Sequence, residues 1–340
     1  MSKFNRRNFL TSSSGVLAST LLTGTEIAWS ESSYAQTPKT LLPVRLTCGA
    51  NLGYSNLFVA EGAGLFQKYG IDGRVILFDV AFQGTEAVIA GQAETASTVE
   101  FPMINYLARG ADLIAPCVMQ TADDLKIVTL KNITKPDDLI GKKIGLIIGS
   151  SAHYGFDQYL KYFKIAKEKV SVINVPAAEQ VALFAKGDID AYIWVEPLVT
   201  RGIDMMKGRA HILSPGLETV MKSRIYLQLS RSWADKNTQA VQGILRALID
   251  ANEFIKKQPE KAAEFTGKKL NLPPSQVPEL IKRGGWDWDV YLDSSLTNVF
   301  SEVTSWMREN KRLVAEPPDI RKTFAPSYLK AIDPTKLKGF

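Results

Sequence analysis

Downstream of residue 40, short apolar runs and amphipathic stretches alternate, and then the alternation starts again. The first round predicts strands at 44–50, 73–79 and 93–100, with helices at 55–69, 85–91 and 102–109. The second predicts strands at 142–149, 170–175 and 191–194, with helices at 152–163 and 179–186. Strands joined through short helices imply a mainly parallel sheet covered by helices, so the fold class is α/β. From 233 to 309 the pattern turns helical, over 233–257, 259–269, 275–283 and 292–309, with Pro259, Pro273, Pro274, Pro317 and Pro318 as punctuation.

The two rounds also agree in detail. "EAVIAGQAETA" from Glu86 and "VALFAKGDIDA" from Val181 each carry a helix, a Gly suited to a C-cap, a small residue or acid and the next strand. This predicts one lobe used twice. Two extended runs, "DDLKIVTL" (123–130) and "SRIYLQLS" (223–230), flank the second round and predict two crossing hinge strands. The mature chain therefore divides into a first lobe of 36–127 and 224–340 and a second lobe of 128–223.

Length and composition fit that reading. The 340 residues suffice for two lobes, and 45% apolar with 22% charged residues is ordinary for a globular chain. The formal charge of +6 is spread without an Arg/Lys cluster, which gives no nucleic-acid footprint and is compatible with an acidic ligand. Residues 1–35 read as an export signal: basic residues, a short Ser/Thr-rich apolar run, and Ser33-Tyr34-Ala35 before the cut. Arg6-Arg7 followed by Asn8-Phe9-Leu10 marks the twin-arginine type. The expected location is the periplasm. Cys48 and Cys117 lie in β-like runs and form either one disulfide or two buried thiols.

Open parallel sheets bind ligands beyond the carboxyl ends of their strands, where helix N-termini present backbone N–H groups. The residues at those exits are Tyr54 and Ser55, then Gly84 and Thr85, then Thr98 and Glu100. In the second round they are Ser150, Ser151, His153 and Tyr154, then Trp194 and Glu196. Each has a plainer role open to it: helix N-cap for Ser55, Thr85 and Ser151, surface residue for His153, core for Trp194. Together they describe a cleft. N–H groups at Gly84-Thr85 and Ser150-Ser151 would hold an oxyanion, and Tyr54, Tyr154 and Trp194 would wall an apolar or cationic part. Glu100 and Glu196 suit an ammonium or ring N–H, or else pair with an Arg across the hinge and never meet ligand.

No metal or cofactor site is expected, because His153 and His211 are the only histidines and neither stands at ligand spacing to a Cys. No nucleophile elbow, metalloprotease helix, phosphate loop or dinucleotide fingerprint is present, which argues against an enzyme. Asp287 and Asp289 in "GGWDWDVY" are spaced for acid/base work, but capping and core roles suit that context better.

The stretches "GYSNLFVAEGAGLFQKYGID", "GTEAVIAGQAETA", "DDLIGKKIGLIIGSSAHY", "KGDIDAYIWVEP" and "PSYLKAIDP", behind an export leader, resemble the solute-binding proteins of ABC importers. The class is that of nitrate, sulfonate and taurine binders, which shares its domain with thiamine-precursor binding proteins. The resemblance implies the two-lobed periplasmic binding protein fold of type II, closing on one solute and delivering it to a membrane permease. It implies a monomer without nucleic-acid partner or cofactor, holding an alkanesulfonate- or taurine-like anion or zwitterion; a pyrimidine or aromatic acid is the alternative. Carried over, the motifs implicate Tyr54, Ser55, Gly84, Thr85, Ser151, His153, Trp194 and Glu196. The third exit, "STVEFP", departs from the Gly-rich form of the class, and Glu100 there argues against a simple inorganic anion. A related enzyme, the pyrimidine synthase of thiamine biosynthesis, carries a Cys-rich motif that this sequence lacks.

Overall fold

The computed structural model describes residues 40–340, so the expected leader lies outside the described residues. Thr40–Phe340 forms one compact unit. It opens with β1 (Leu42–Gly49), α1 (Ser55–Gly62), α2 (Leu65–Lys68), β2 (Ile71–Phe78), α3 (Phe82–Ile89), β3 (Thr95–Thr98), α4 (Glu100–Ala108) and β4 (Leu113–Ala122). It continues with β5 (Lys126–Leu130), β6 (Lys143–Leu146), α5 (Ser151–Tyr162), β7 (Ser171–Asn174), α6 (Ala177–Lys186), β8 (Ala191–Trp194), α7 (Leu198–Met205) and β9 (Ala210–Ile212). After β10 (Ser223–Ser230) come α8 (Arg231–Lys236), α9 (Thr238–Lys257), α10 (Pro259–Leu270), α11 (Val277–Gly284), β11 (Leu292–Asp293), α12 (Leu296–Glu309), α13 (Pro326–Lys330) and β12 (Leu337–Lys338).

Two five-stranded sheets carry the fold, ordered β2-β1-β3-β10-β4 and β7-β6-β8-β5-β9. In each, four strands run one way and one runs against them: β10 is antiparallel to β3 and β4, β5 to β8 and β9. The reversed strand is in both cases the first one laid down after the chain crosses between sheets. The lobes are thus built to one plan with exchanged strands, which explains the repeat in the sequence. The helix-to-strand turns α3–β3 and α6–β8 occupy equivalent places, and Gly91 (φ +70°) and Gly187 (φ +83°) take the left-handed conformation expected there.

Apolar runs become strands buried on both faces; every residue of β4 is buried. The first core gathers Leu46, Phe58, Phe66, Ile104, Val118, Leu227, Leu245 and Phe300. In the second sheet, successive residues point to opposite faces. Ile127 and Ile193 join Ile144, Phe156 and Leu160 on one side, while Val128 and Tyr192 join Phe184 and Val199 on the other. Cys48 and Cys117 are buried free thiols in β1 and β4. "GGWDWDVY" takes the capping and core roles expected of it rather than forming a carboxylate pair: Gly285 closes α11 in the left-handed conformation, and Trp288 and Val290 join the first core. It runs along the edge of β4, where Thr121 and Asp287 exchange backbone hydrogen bonds of 3.0 and 2.8 Å, and Asp289 pairs with Lys336 at 2.6 Å.

Several boundaries differ from the sequence pattern for local reasons. The helix expected over 55–69 breaks into α1 and α2 at Gly64, whose φ is +70°. The helix expected from Thr85 starts three residues earlier, so Gly84 and Thr85 sit inside its first turn. The strand expected through residue 100 stops at Thr98, and Glu100 opens α4, where a carboxylate complements the helix dipole. The helix expected over 233–257 breaks at Asn237. The one expected from Leu292 begins at Leu296, because Leu292 and Asp293 pair with Leu337 and Lys338 instead.

Candidate functional site

The first two strand exits are satisfied from within. After β1, Asn51 accepts the Gly53 N–H at 2.9 Å, Ser55 donates to the Leu52 carbonyl at 2.7 Å, and Gln120 donates to the Gly53 carbonyl. A Cβ on Gly53 would lie 2.4 Å from the Trp286 ring, so the turn is also covered. Tyr54 and Ser55 are buried, Tyr54 in the first core. At the second exit, the Gly84 N–H bonds the Ala81 carbonyl and its Cα lies tight against Thr47. Thr85 donates to Gln228 at 3.0 Å. Gln228 in turn holds the Val99 carbonyl at 3.3 Å, the peptide immediately before α4.

The third exit is different. Thr98 pairs in register with Tyr226 of β10, and Glu100 follows at the start of α4 with only 6% of its surface exposed. Burial pushes its carboxyl up to about 7, opposed by the helix start and by the Arg224 guanidinium. Among the described residues the buried Tyr226 hydroxyl has no hydrogen-bond partner, and burial together with Glu100 raises its pKa. Arg224 also acts on Tyr154 and Tyr291, so it is the cation common to this group. On α12, the buried Thr304 hydroxyl is likewise unpartnered.

The second lobe meets this group through α5. Tyr154 packs 5.5 Å from Phe101 of α4 and 5.6 Å from Trp306 of α12, ring centre to ring centre, and Phe101 meets Trp306 at 5.9 Å. Burial, then Glu302 and Glu100, pushes the Tyr154 hydroxyl up to about 12. His153 stands edge-on to Trp306 at 5.2 Å and accepts the Gly149 N–H at 3.2 Å. Burial lowers its pKa, against the Asp157 carboxylate, which raises it. The Ser150 hydroxyl and N–H both turn back to the Ile147 carbonyl, so the free N–H groups of α5 begin at Ser151. One turn further on, the buried Asp157 accepts the Trp306 indole N–H at 2.8 Å and pairs with Lys167.

At the last exit, Trp194 packs on the second-lobe cluster around Phe184 and Tyr192. Glu196 is buried, accepts the Thr200 N–H and hydroxyl at 3.0 and 2.9 Å, and pairs with Arg283 of α11 at 3.1 Å. Glu196 thus joins the lobes through an Arg, one of the two roles open to it in the sequence.

The structure therefore brings Thr98, Glu100, His153 and Tyr154 to one place, with Ser151 at the adjoining helix start. It sets Tyr54, Ser55, Gly84, Thr85 and Ser150 into supporting turns, Trp194 on the face of the second sheet opposite α5, and Glu196 in an ion pair with Arg283. Phe101, Arg224, Tyr226 and Trp306 join the group and were missed from sequence. Arg224 had a signal, as the one charge inside "SRIYLQLS"; the three aromatics had none. The charge, polar groups and aromatic faces together can hold a small amphipathic anion.

The profile of the NMT1-like family matches residues 37–267. The chain belongs to the NMT1-like family. A putative aliphatic sulfonates-binding protein of Escherichia coli K12 is 23% identical over 302 residues, covering 87% of this chain and 91% of the relative. The taurine-binding periplasmic protein of the same organism is 27% identical over 167 residues, 46% of this chain and 50% of the relative. The crystal structure of the periplasmic aliphatic sulphonate binding protein SsuA from Escherichia coli shares the fold, with a TM-score of 0.73 at 20% identity over 85% of this chain and 99% of that one. The two-lobed α/β architecture is therefore that of periplasmic binding proteins. It is also that of the desulfurization enzyme DszB, with a TM-score of 0.66 at 15% identity over 85% of this chain and 98% of that one.

Proposed function

We propose that this protein is the exported solute-binding subunit of an ABC importer, capturing a small organic sulfonate-like anion or zwitterion between its lobes and handing it to a membrane permease. The observation that carries the reading is Arg224 beside the buried Glu100 and the unpartnered Tyr226, where α4, α5 and α12 of the two lobes converge. Names of the relatives support the ligand class. Thr98, Glu100, Ser151, His153 and Tyr154 are the sequence-expected residues proposed to face the ligand; Tyr54, Ser55, Gly84, Thr85 and Ser150 support the turns behind them, while Trp194 packs in the second core and Glu196 ties the lobes through Arg283. The proposed lobe limits are 36–127 with 224–340 for the first and 128–223 for the second; β5 starts at Lys126 and β10 at Ser223.

A binder is favoured over an enzyme because burial raises both cysteine thiols far above their ordinary range, which leaves neither as a thiolate nucleophile. Among the described residues no three His, Cys, Asp or Glu cluster to hold a metal, and no helix is long and apolar enough to cross a membrane. Export by the twin-arginine route to the periplasm, as a monomer, completes the proposal. The Phe101–Tyr154–Trp306 wall favours an aromatic acid as the second reading.

Thermal unfolding against taurine, alkane- and arylsulfonates, nitrate, aromatic carboxylates and pyrimidines tests the reading. A ligand at a thousand times its dissociation constant stabilises the native state by about 4 kcal/mol. An alkanesulfonate or taurine response is expected. A response to aromatic carboxylates alone moves the protein to the second reading, and no response to any of them rejects the function.

A further inference from the structure

Two glutamates are buried where the lobes meet, and they are treated differently. Glu196 receives a guanidinium, a backbone N–H and a hydroxyl. Glu100 receives no such set: among the described residues no Lys or Arg nitrogen lies within 4.0 Å of its carboxyl. The groups facing it are Arg224 and Tyr226 from β10, Tyr154 from α5, and the start of its own helix. Glu302 on α12 adds a second negative charge near Tyr154, and Tyr291 bonds Arg224. On α5, His153 is engaged with Gly149 and Trp306, and Asp157 with Trp306 and Lys167, so neither serves Glu100. Glu86 of α3 is likewise taken, by Tyr106.

An ionised Glu100 would face a bound anion across a few ångströms of low-dielectric interior, an arrangement that costs energy. A neutral Glu100 would instead add a hydrogen-bond donor beside the Tyr226 hydroxyl, which has no acceptor among the described residues. We propose that Glu100 determines specificity by meeting the ligand as a neutral acid, so that the cleft takes up a singly charged anion together with one proton, Arg224 being the cation that faces Glu100, while Lys167 and Arg312 lie toward His153 at the start of α5. The proton comes from solvent and resides on a Glu100 carboxyl oxygen, donated to an oxygen of the ligand's acid group. The site then favours monoanions over dianions, because one guanidinium faces the Glu100 carboxyl and the Glu302 carboxylate stands near Tyr154. It rests on the functional reading above and extends it to the ligand's charge.

Isothermal titration calorimetry of the full chain with ethanesulfonate and benzenesulfonate, whose own groups stay ionised throughout, tests it at pH 6 and pH 8. With Glu100 half-protonated near pH 7, both sulfonates should bind about tenfold more tightly at pH 6. At pH 8 the binding heat should differ between phosphate and Tris buffers by about one buffer ionisation, since roughly one proton is taken up. That measurement needs no variant. Glu100→Gln, which keeps a donor at that place without the charge, should bind equally at both pH values and at pH 8 should match the wild type at pH 6. Sulfonate binding that is tight yet independent of pH, with no proton uptake, overturns the proposal and leaves the function standing. So does tighter binding of taurine at pH 8 than of either sulfonate at pH 6, which would mark Glu100 as the receptor of an ammonium. Failure of every member of the wider thermal panel overturns the function and this proposal with it.

Discussion

A carboxyl at the first residue of α4, buried and without an ion-pair partner among the described residues, has consequences before any ligand arrives. The folded-state pKa of Glu100, about 7, lies above the ordinary 4.5. The native state therefore holds the proton more tightly than the unfolded chain. Its contribution is fully present below pH 4.5, is lost as pH rises toward 7, and amounts by then to a penalty of about 3 kcal/mol. Asp124, buried at the crossing between β4 and β5 and pushed up to about 6, acts with the same sign over a lower window. Glu100→Gln should accordingly raise the melting temperature by several degrees at pH 8 and by little at pH 4, as read by calorimetric unfolding. An equal shift at both pH values would mean that the effect is packing, not charge. At this scale the sequence was legible where strand-exit geometry applied, at Thr98, Glu100 and Tyr154. It was illegible at Phe101 and Trp306, ordinary core residues by pattern whose partners come from a distant helix.

Elements, rather than single side chains, decide how the lobes meet. The start of α4 is set by Gln228, which holds the Val99 carbonyl, and the start of α5 by the turn from Ile147 to Ser150. α11 reaches across with Arg283 to Glu196. Removing the guanidinium by Arg283→Ala leaves a buried carboxylate with only Thr200 as partner, and should cost about 2–3 kcal/mol in urea unfolding. Glu196→Gln should cost less, because its amide oxygen still accepts from Thr200. Equal costs would show that the charge pair is not what matters there. Element type and order were readable from periodicity, since period-2 and period-3.6 runs are long in both rounds. Breaks were not: Gly64, Asn237 and the early start of α3 follow from packing against neighbours that lie far away in sequence.

For the molecule as a whole, the two sheets share one strand order and exchange one strand each, so the crossings at 123–125 and 213–222 are the places about which the lobes can turn. The repeat in the sequence carried that plan, because equivalent helix-to-strand turns need the same Gly; the exchange itself was visible only as two extended runs. Closure is then stabilised by contacts that exist only when the lobes meet, such as the Trp306 indole on Asp157 at 2.8 Å. Trp306→Phe keeps a ring against Tyr154 and Phe101 but removes that donor. It should lower affinity for a responding sulfonate about fivefold, equivalent to about 1 kcal/mol, with the lobes intact by circular dichroism. An unchanged affinity would place the closing energy elsewhere.

The central claim, that the cleft around Arg224 binds a small organic anion, is tested most directly by titrating Arg224→Ala and wild type with the sulfonate that gives the largest thermal shift. Loss of the cation should weaken binding by at least about 30-fold, or 2 kcal/mol, with the far-ultraviolet circular dichroism unchanged. An affinity within twofold of wild type would contradict it and move the binding site away from this cleft.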